Sequence, residues 1–386
     1  MNRRGKLLFT VNSSQTTMTL STSEKAVNRV KVVVAMSGGV DSSVAAALLK
    51  EKGYQVSGVI MRIWGGETSS AETTRHACYG PEEEEDIEDA RKVSQTLDIP
   101  FHVFDLRQEY KDQVLDYYLS EYLSGRTPNP CLVCNRQLKF GDLLKKTRER
   151  GIEFDYFATG HYARVEYNRE RGRYLLKKAA DLNKDQSYFI SSLSQEQLGV
   201  CLFPIGDYTK DEIRKIASKY GLGISSKAES QDFIAGDYPS LVEAAQPGKI
   251  LNQQGNILGE HRGIPFYTIG QRKGLGIADK EPLYVIDIDS EKNAITVGGK
   301  EEVYQDELTA SGLNWIAVEK LEQPVMARAR IRYLHREAEA EVTPIEEDRV
   351  YVKFNQPQLA ITPGQTVVFY QGDVVLGEGT IEKTRK

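Results

Sequence analysis

The sequence predicts an α/β N-terminal domain with a parallel sheet, then a small, mainly β central domain, then a C-terminal β-barrel. Three observations carry that reading. From Lys31 to about Ile205, apolar strand-like runs alternate with amphipathic helical stretches, a βαβα rhythm that calls for parallel strands with helices on both faces. After about Leu222, Gly and Pro become frequent and the apolar runs shorten, as in a small β module. From about Leu308, alternating segments such as "VMARARIRYL", "DRVYVKF" and "QTVVFYQGDVVLGEGTI" describe a second β unit of barrel type. The expected divisions are a disordered tail over 1–29, then domains over 30–222, 223–305 and 306–386.

Taken in order, "VKVVVAM" is a buried first strand and "SSVAAALLKEKG" its helix. "YQVSGVIMRIW" is the second strand, and "EEEEDIEDARKVSQTLDI" a helix whose acidic start suits the positive end of the helix dipole. "PFHVFDL", the helical "QEYKDQVLDYYLSEYLSG" and the strand "YFATGHYARV" complete the first domain. "GKILNQQGNILGEH", "GIPFYTIGQRKGLGI" and "PLYVIDIDSEKNAITVGG" supply the short central strands. A chain of 386 residues is too long for one core. Its net charge of −5 excludes a uniformly basic surface but not a local basic face. No apolar run approaches a membrane span, so a cytoplasmic protein with no membrane partner is expected. Four cysteines, Cys78, Cys131, Cys134 and Cys201, suit metal or redox chemistry better than a disulfide framework.

The first strand ends in "AMSGGVDSS". Gly38 and Gly39 can take positive φ and let backbone N–H groups approach a ligand. The helix that follows points its positive end at the same spot, making an anion site. Ser37, Ser42 and Ser43 add hydroxyls, and Asp41 can orient a magnesium ion or a backbone turn. The spacing is neither that of a Walker A loop nor that of the dinucleotide fingerprint. It resembles the SGGxDS signature of the PP-loop ATP pyrophosphatases, a HUP-like, Rossmann-like superfamily that transfers AMP to an oxygen and releases pyrophosphate. That resemblance implies ATP and Mg2+, held by Ala35, Met36, Ser37, Gly38, Gly39, Val40, Asp41 and Ser42. Nucleotides in such folds lie beyond the carboxyl ends of the strands. Met61 at the second strand's end is thus placed to touch adenine or to pack the core, and Gly160 and His161 reach the same mouth.

Next comes "GRTPNPCLVCNRQLKFG", where two prolines fix a loop just before a CxxC, with Arg126, Arg136 and Lys139 nearby for phosphates. Jointly with "SGGVDSS", "ATGHYAR", "KDQSYF" and "YTIGQRKGLGI", it resembles the bacterial tRNA-specific 2-thiouridylases, the MnmA family, in order over most of the chain. The resemblance implies ATP-dependent replacement of O2 by sulfur on a wobble uridine, with tRNA and a sulfur-donor protein or sulfide as partners. It sets Asn129, Pro130 and Cys131 beside the flipped base, with Cys134 as leading catalytic thiol. His161, Lys184, Asp185, Gln186, Ser187, Arg332, Tyr333 and Gln365 are its expected tRNA- and nucleotide-side residues. The string "ARARIRYLHR" reads as a phosphate-facing strand with its charges on one face.

The chain departs from the pattern at two points, the first being Cys131, where many relatives carry Asp. Many relatives carry a second catalytic cysteine in an "ESQxICF"-like segment, where this chain has "AESQDFIAGDY", with Phe233 in the approximate place. Cys201, in "QLGVCLFPIG", reads as a buried helix end. Cys78, Cys131 and Cys134 therefore remain, and two schemes fit them. They could hold three irons of a 4Fe–4S cluster with the fourth iron open to hydrosulfide, the scheme ranked first here. Alternatively, Cys134 carries a persulfide and Cys131 or Cys78 closes a disulfide. Zinc suits three Cys without a well-spaced His less well. The rival function is that of another PP-loop adenylating enzyme, acting on a small molecule.

Overall fold

The computed structural model describes residues 29–66, 77–224, 227, 232–234, 243–278, 280–346 and 348–382. All but Arg29 of the expected tail, and "AESQDFIAGDY" apart from residues 232–234, lie outside them.

The strands of the first half are β1 (Lys31–Ala35), β2 (Gln55–Arg62), β3 (Ala77–Tyr79), β4 (Phe101–Asp105), β5 (Tyr156–Thr159), β6 (Ala163–Asn168), β7 (Arg173–Lys178), β8 (Cys201–Leu202) and β9 (Asp232–Ile234). Five make a parallel sheet in the order β4-β2-β1-β5-β8. Alternate residues feed two cores: Val33, Val59 and Phe157 pack on one face, and Val32, Val34, Ile60 and Ala158 on the other. The valine run of β1 is what burial on both faces demands. Helices α1 (Val40–Glu51), α2 (Glu83–Thr96) and α3 (Lys210–Lys219) contribute Val44, Ala90 and Ile213 to the second core. The chain runs out from β1 to both sides, so the strand order reverses between β1 and β5, and a crevice opens at their carboxyl ends.

Two expected elements divide. "YFATGHYARV" is two strands, because the chain turns at Gly160–Tyr162: β5 stays in the parallel sheet, while β6 and β7 form a hairpin that joins the C-terminal sheet through Val374 beside Lys177. The helical run after β4 is three segments, Arg107–Tyr110, Lys111–Leu115 and Asp116–Leu123, the middle one π-helical.

The central sheet holds β10 (Gly248–Leu251), β11 (Ile257–His261), β12 (Tyr284–Asp289) and β13 (Ala294–Gly298), in the order β11-β10-β13-β12. "GIPFYTIGQRKGLGI" forms turns instead of the expected strand, with Gly270, Gly274 and Gly276 at positive φ. The last domain comprises β14 (Tyr304–Trp315), β15 (Val325–Arg330), β16 (Ala338–Glu346), β17 (Arg349–Leu359), β18 (Thr366–Gln371) and β19 (Val374–Ile381). These six antiparallel strands close into a barrel through the β14–β19 pairing. The strand expected over "ARARIRYLHR" stops at Arg330, and 331–337 is a turn. Among the described residues, no helix is long and apolar enough to cross a membrane.

Candidate active site

The turn after β1 opens at the crevice between β1 and β5. Gly38 holds φ +69, and a Cβ there would lie 2.4 Å from the Asp86 carbonyl oxygen of α2. Gly39 is extended, at φ −94, so one glycine rather than two takes the left-handed conformation. Ser43 is fully buried, and its hydroxyl donates to the Gly39 carbonyl at 2.8 Å. The Ser42 hydroxyl donates to the same carbonyl and accepts from the Ser37 N–H. Both serines therefore brace the turn, and of the three only Ser37 is exposed. Met36 is buried against Ser94, so only its backbone could serve a ligand; Val40 is buried too, while Ala35 and Met61 are half-buried. At Gly160 a Cβ would lie 2.4 Å from the Ser42 N, so this glycine lets the end of β5 close onto the start of α1.

Two residues the sequence reading missed complete the turn. Lys210, at the start of α3, reaches the Asp41 carboxylate at 2.8 and 2.9 Å, and the Tyr162 hydroxyl donates to it at 2.9 Å. A lysine in the first turn of a helix capped by Thr209 and Glu212 opposes the dipole, and that was the available signal.

Pro130 opens a short helix, Pro130–Val133, and a π-helical stretch, Cys134–Asp142, follows. Such wide turns often mark functional positions. Cys131 and Cys134 are half-buried there, and Cys78 in β3 is exposed. Solvent reaches Cys78, yet protein packs around its sulfur, so desolvation raises its pKa, with Asp86 adding to the rise. Desolvation likewise pushes Cys131 up to about 12 and Cys134 to about 11. The Lys139 ammonium lowers all three, and the buried Tyr110 phenol feels all three. Lys139 therefore faces the thiols, and it donates to Asn135 at 2.8 Å. His161 is pushed well below its ordinary value by burial and then by Lys139, so it is a neutral ring, sharing a hydrogen bond with Thr159. Among the described residues no three His, Cys, Asp or Glu side chains are grouped to hold a metal ion. Cys201 is buried, as expected.

Three domain families match the chain in succession: the tRNA methyl transferase HUP domain over residues 30–235, the tRNA methyl transferase PRC-barrel domain over 237–299, and the aminomethyltransferase beta-barrel domain over 305–381. The tRNA-specific 2-thiouridylase MnmA 1 of Caldanaerobacter subterraneus subsp. tengcongensis is 50% identical over 361 residues, covering 92% of this chain and 98% of that one. MnmA of Moorella thermoacetica is 49% identical over 358 residues, covering 91% and 99%. The chain belongs to the tRNA-specific 2-thiouridylase family. As a 2-thiouridylase it carries, next to Phe233, Ile234 at the position where the family pattern has a thiol. That residue lies in β9, which pairs with β3 through Ala77–Asp232 and Tyr79–Ile234. Cys78 is therefore level with Phe233 on the adjoining strand.

The residues expected on the tRNA side of this 2-thiouridylase fall into two groups. Asp185 is buried, accepting from the N–H groups of Ala179 and Ser187, the Ser187 hydroxyl and Arg330. Gln186 is tied to the Tyr162 backbone, and Gln365 spends its amide on the carbonyls of Thr127 and Pro128. These three hold the protein together. Arg330 turns inward to Glu337 at 3.1 Å, which also takes Lys178 at 2.7 Å, so the basic string does not present one phosphate-facing row. Arg126 is paired with Glu121 and Arg136 is exposed. Lys184, Arg332 and Tyr333 keep partial exposure, Tyr333 resting on Phe189 with ring centroids 4.3 Å apart. Asn129 and Pro130 are buried, with the Asn129 amide donating to the Tyr188 hydroxyl.

Proposed function

We propose that this chain uses ATP to replace O2 of a tRNA wobble uridine by sulfur, giving 2-thiouridine, AMP and pyrophosphate in the cytosol. One observation carries the reading: the nucleotide turn and the thiols share neighbours. Asp86 abuts Gly38 through its carbonyl and bears on Cys78 through its charge. Lys139 bears on all three thiols and on His161, whose neighbour Gly160 packs on Asp41 and Ser42. These shared neighbours support a reading in which phosphate cradle and sulfur open on one crevice.

Uracil O2 is a poor leaving group, and attack of O2 on the ATP α-phosphate turns it into AMP while pyrophosphate departs. Gly38 and the open N–H groups of α1 hold the phosphates. Magnesium carried on the ATP phosphates would supply charge neutralisation there, since the Asp41 carboxylate is already engaged by Lys210 and Tyr162. Sulfur arrives from a donor protein as a persulfide on Cys134. Its terminal sulfur attacks C2, the C2–O bond breaks, and AMP leaves with O2. The Cys78 thiolate then attacks the Cys134 sulfur, freeing the thiouridine and leaving a Cys134–Cys78 disulfide for a thiol reductant to reset; the proton lost from N3 on activation returns. Cys78 supplies from β3, one residue off the level of Ile234, the thiol absent there. No step is assigned to an iron–sulfur cluster.

Nucleoside mass spectrometry of tRNA incubated with ATP, Mg2+, a persulfide donor and the protein tests this. We expect 2-thiouridine from the unaltered protein, none from Cys134→Ala, and a single turnover without release from Cys78→Ala. Full multiple turnover by Cys78→Ala would remove it from the cycle.

A further inference from the structure

Lys210 breaks a helix rule. It occupies the first position of α3, where a cation opposes the dipole, while its neighbours Asp211 and Glu212 obey it. The residue is only 9% exposed, and its ammonium is within 2.9 Å of both oxygens of Asp41. Tyr162 donates to the same carboxylate, and its ring lies 5.9 Å from the ammonium. A buried ion pair is a weak source of stability, whereas a buried cation beside a phosphate cradle has a direct use. Asp41 is the second residue of α1, immediately past the glycine turn, so α1 and α3 bring their N-termini and this ammonium to one place.

We propose that Lys210 is a positioning residue for the β- and γ-phosphates of ATP. Asp41 and Tyr162 hold its ammonium at the cradle, where it meets the tail that leaves as pyrophosphate. This rests on the ATP reading of the turn, but its test needs neither tRNA nor sulfur. Calorimetry on the full chain, with Mg2+, compares ATP with AMP, which has no tail. Lys210→Gln keeps a donor for Asp41 and removes the charge. It is expected to weaken ATP binding about tenfold or more, the size of one charge-assisted hydrogen bond. AMP binding is expected to stay within about twofold, and Lys210→Arg to retain most ATP affinity. Equal weakening of ATP and AMP, or of neither, would reduce Lys210 to a structural tie. Should the Gln variant not fold, 15N-lysine spectra of the unaltered protein decide: the Lys210 ammonium resonance is expected to move with ATP or pyrophosphate and not with AMP, and the reverse overturns the proposal. Failure of the unaltered protein to bind ATP at all would overturn the nucleotide reading itself.

Discussion

Gly38 and Gly39 are adjacent yet answer to different constraints. A Cβ at Gly38 would strike the Asp86 carbonyl oxygen at 2.4 Å in a left-handed backbone, whereas at Gly39 it would meet only the Ser37 Oγ at 3.3 Å. Gly38→Ala is expected to cost about 1–3 kcal/mol or more and to weaken ATP binding, while Gly39→Ala leaves thermal stability nearly unchanged. Equal melting shifts for the two variants would contradict this account of the turn. The thiols give a pH signature. Desolvation favours their neutral form, raising Cys134 to about 11 and Cys131 to about 12. Unfolded thiols ionise near pH 8.5, so their contribution to stability is complete below that value and is lost as pH rises toward 11–12. At neutral pH the Cys134 thiol is therefore held largely in its neutral form. Iodoacetamide labelling of Cys134 should accelerate steeply between pH 9 and 11, and a plateau near pH 8 would show an ordinary thiol.

At the scale of elements, the loop carrying the CxxC is clamped by both later domains. Thr127 donates its N–H to the Pro363 carbonyl, and Gln365 donates to Thr127 and Pro128. From the central domain, Thr268 shares a hydroxyl bond with Thr127, and a Cβ on Gly125 would strike Ile288. The barrel thereby sets where Cys131 and Cys134 stand. Gln365→Ala should slow thiolation roughly tenfold to hundredfold, since small misplacements of reacting groups carry that cost, while ATP affinity is unchanged. Parallel loss of ATP binding would mean the clamp supports the whole domain. A second tie is the Lys178–Glu337–Arg330 group, where one carboxylate serves a buried and a half-buried cation. Glu337→Ala removes the carboxylate facing Lys178 and leaves Arg330 only the longer contact to Asp185, and urea titration should find a loss of about 3–5 kcal/mol.

Over the whole molecule, what could be read in the sequence was whatever local rules govern. The valine run of β1, the glycine turn and the alternation in the barrel each follow from residue size, backbone freedom and period. What escaped reading was pairing between distant segments. Lys210 and Asp41 are 169 residues apart, and Gln365 and Pro128 are 237 apart, with no local pattern to announce either contact. For the same reason Asp185 and Gln365 looked like surface contacts in isolation, and the level placement of Cys78 with Phe233 appeared only with the β3–β9 pairing. The central claim is that the cradle activates the same oxygen that the sulfur displaces. Transfer of label tests it most directly: tRNA carrying 18O at uridine O2 is thiolated, and the AMP is weighed. The account predicts one 18O in AMP per 2-thiouridine formed. Thiouridine accompanied by unlabelled AMP would contradict it.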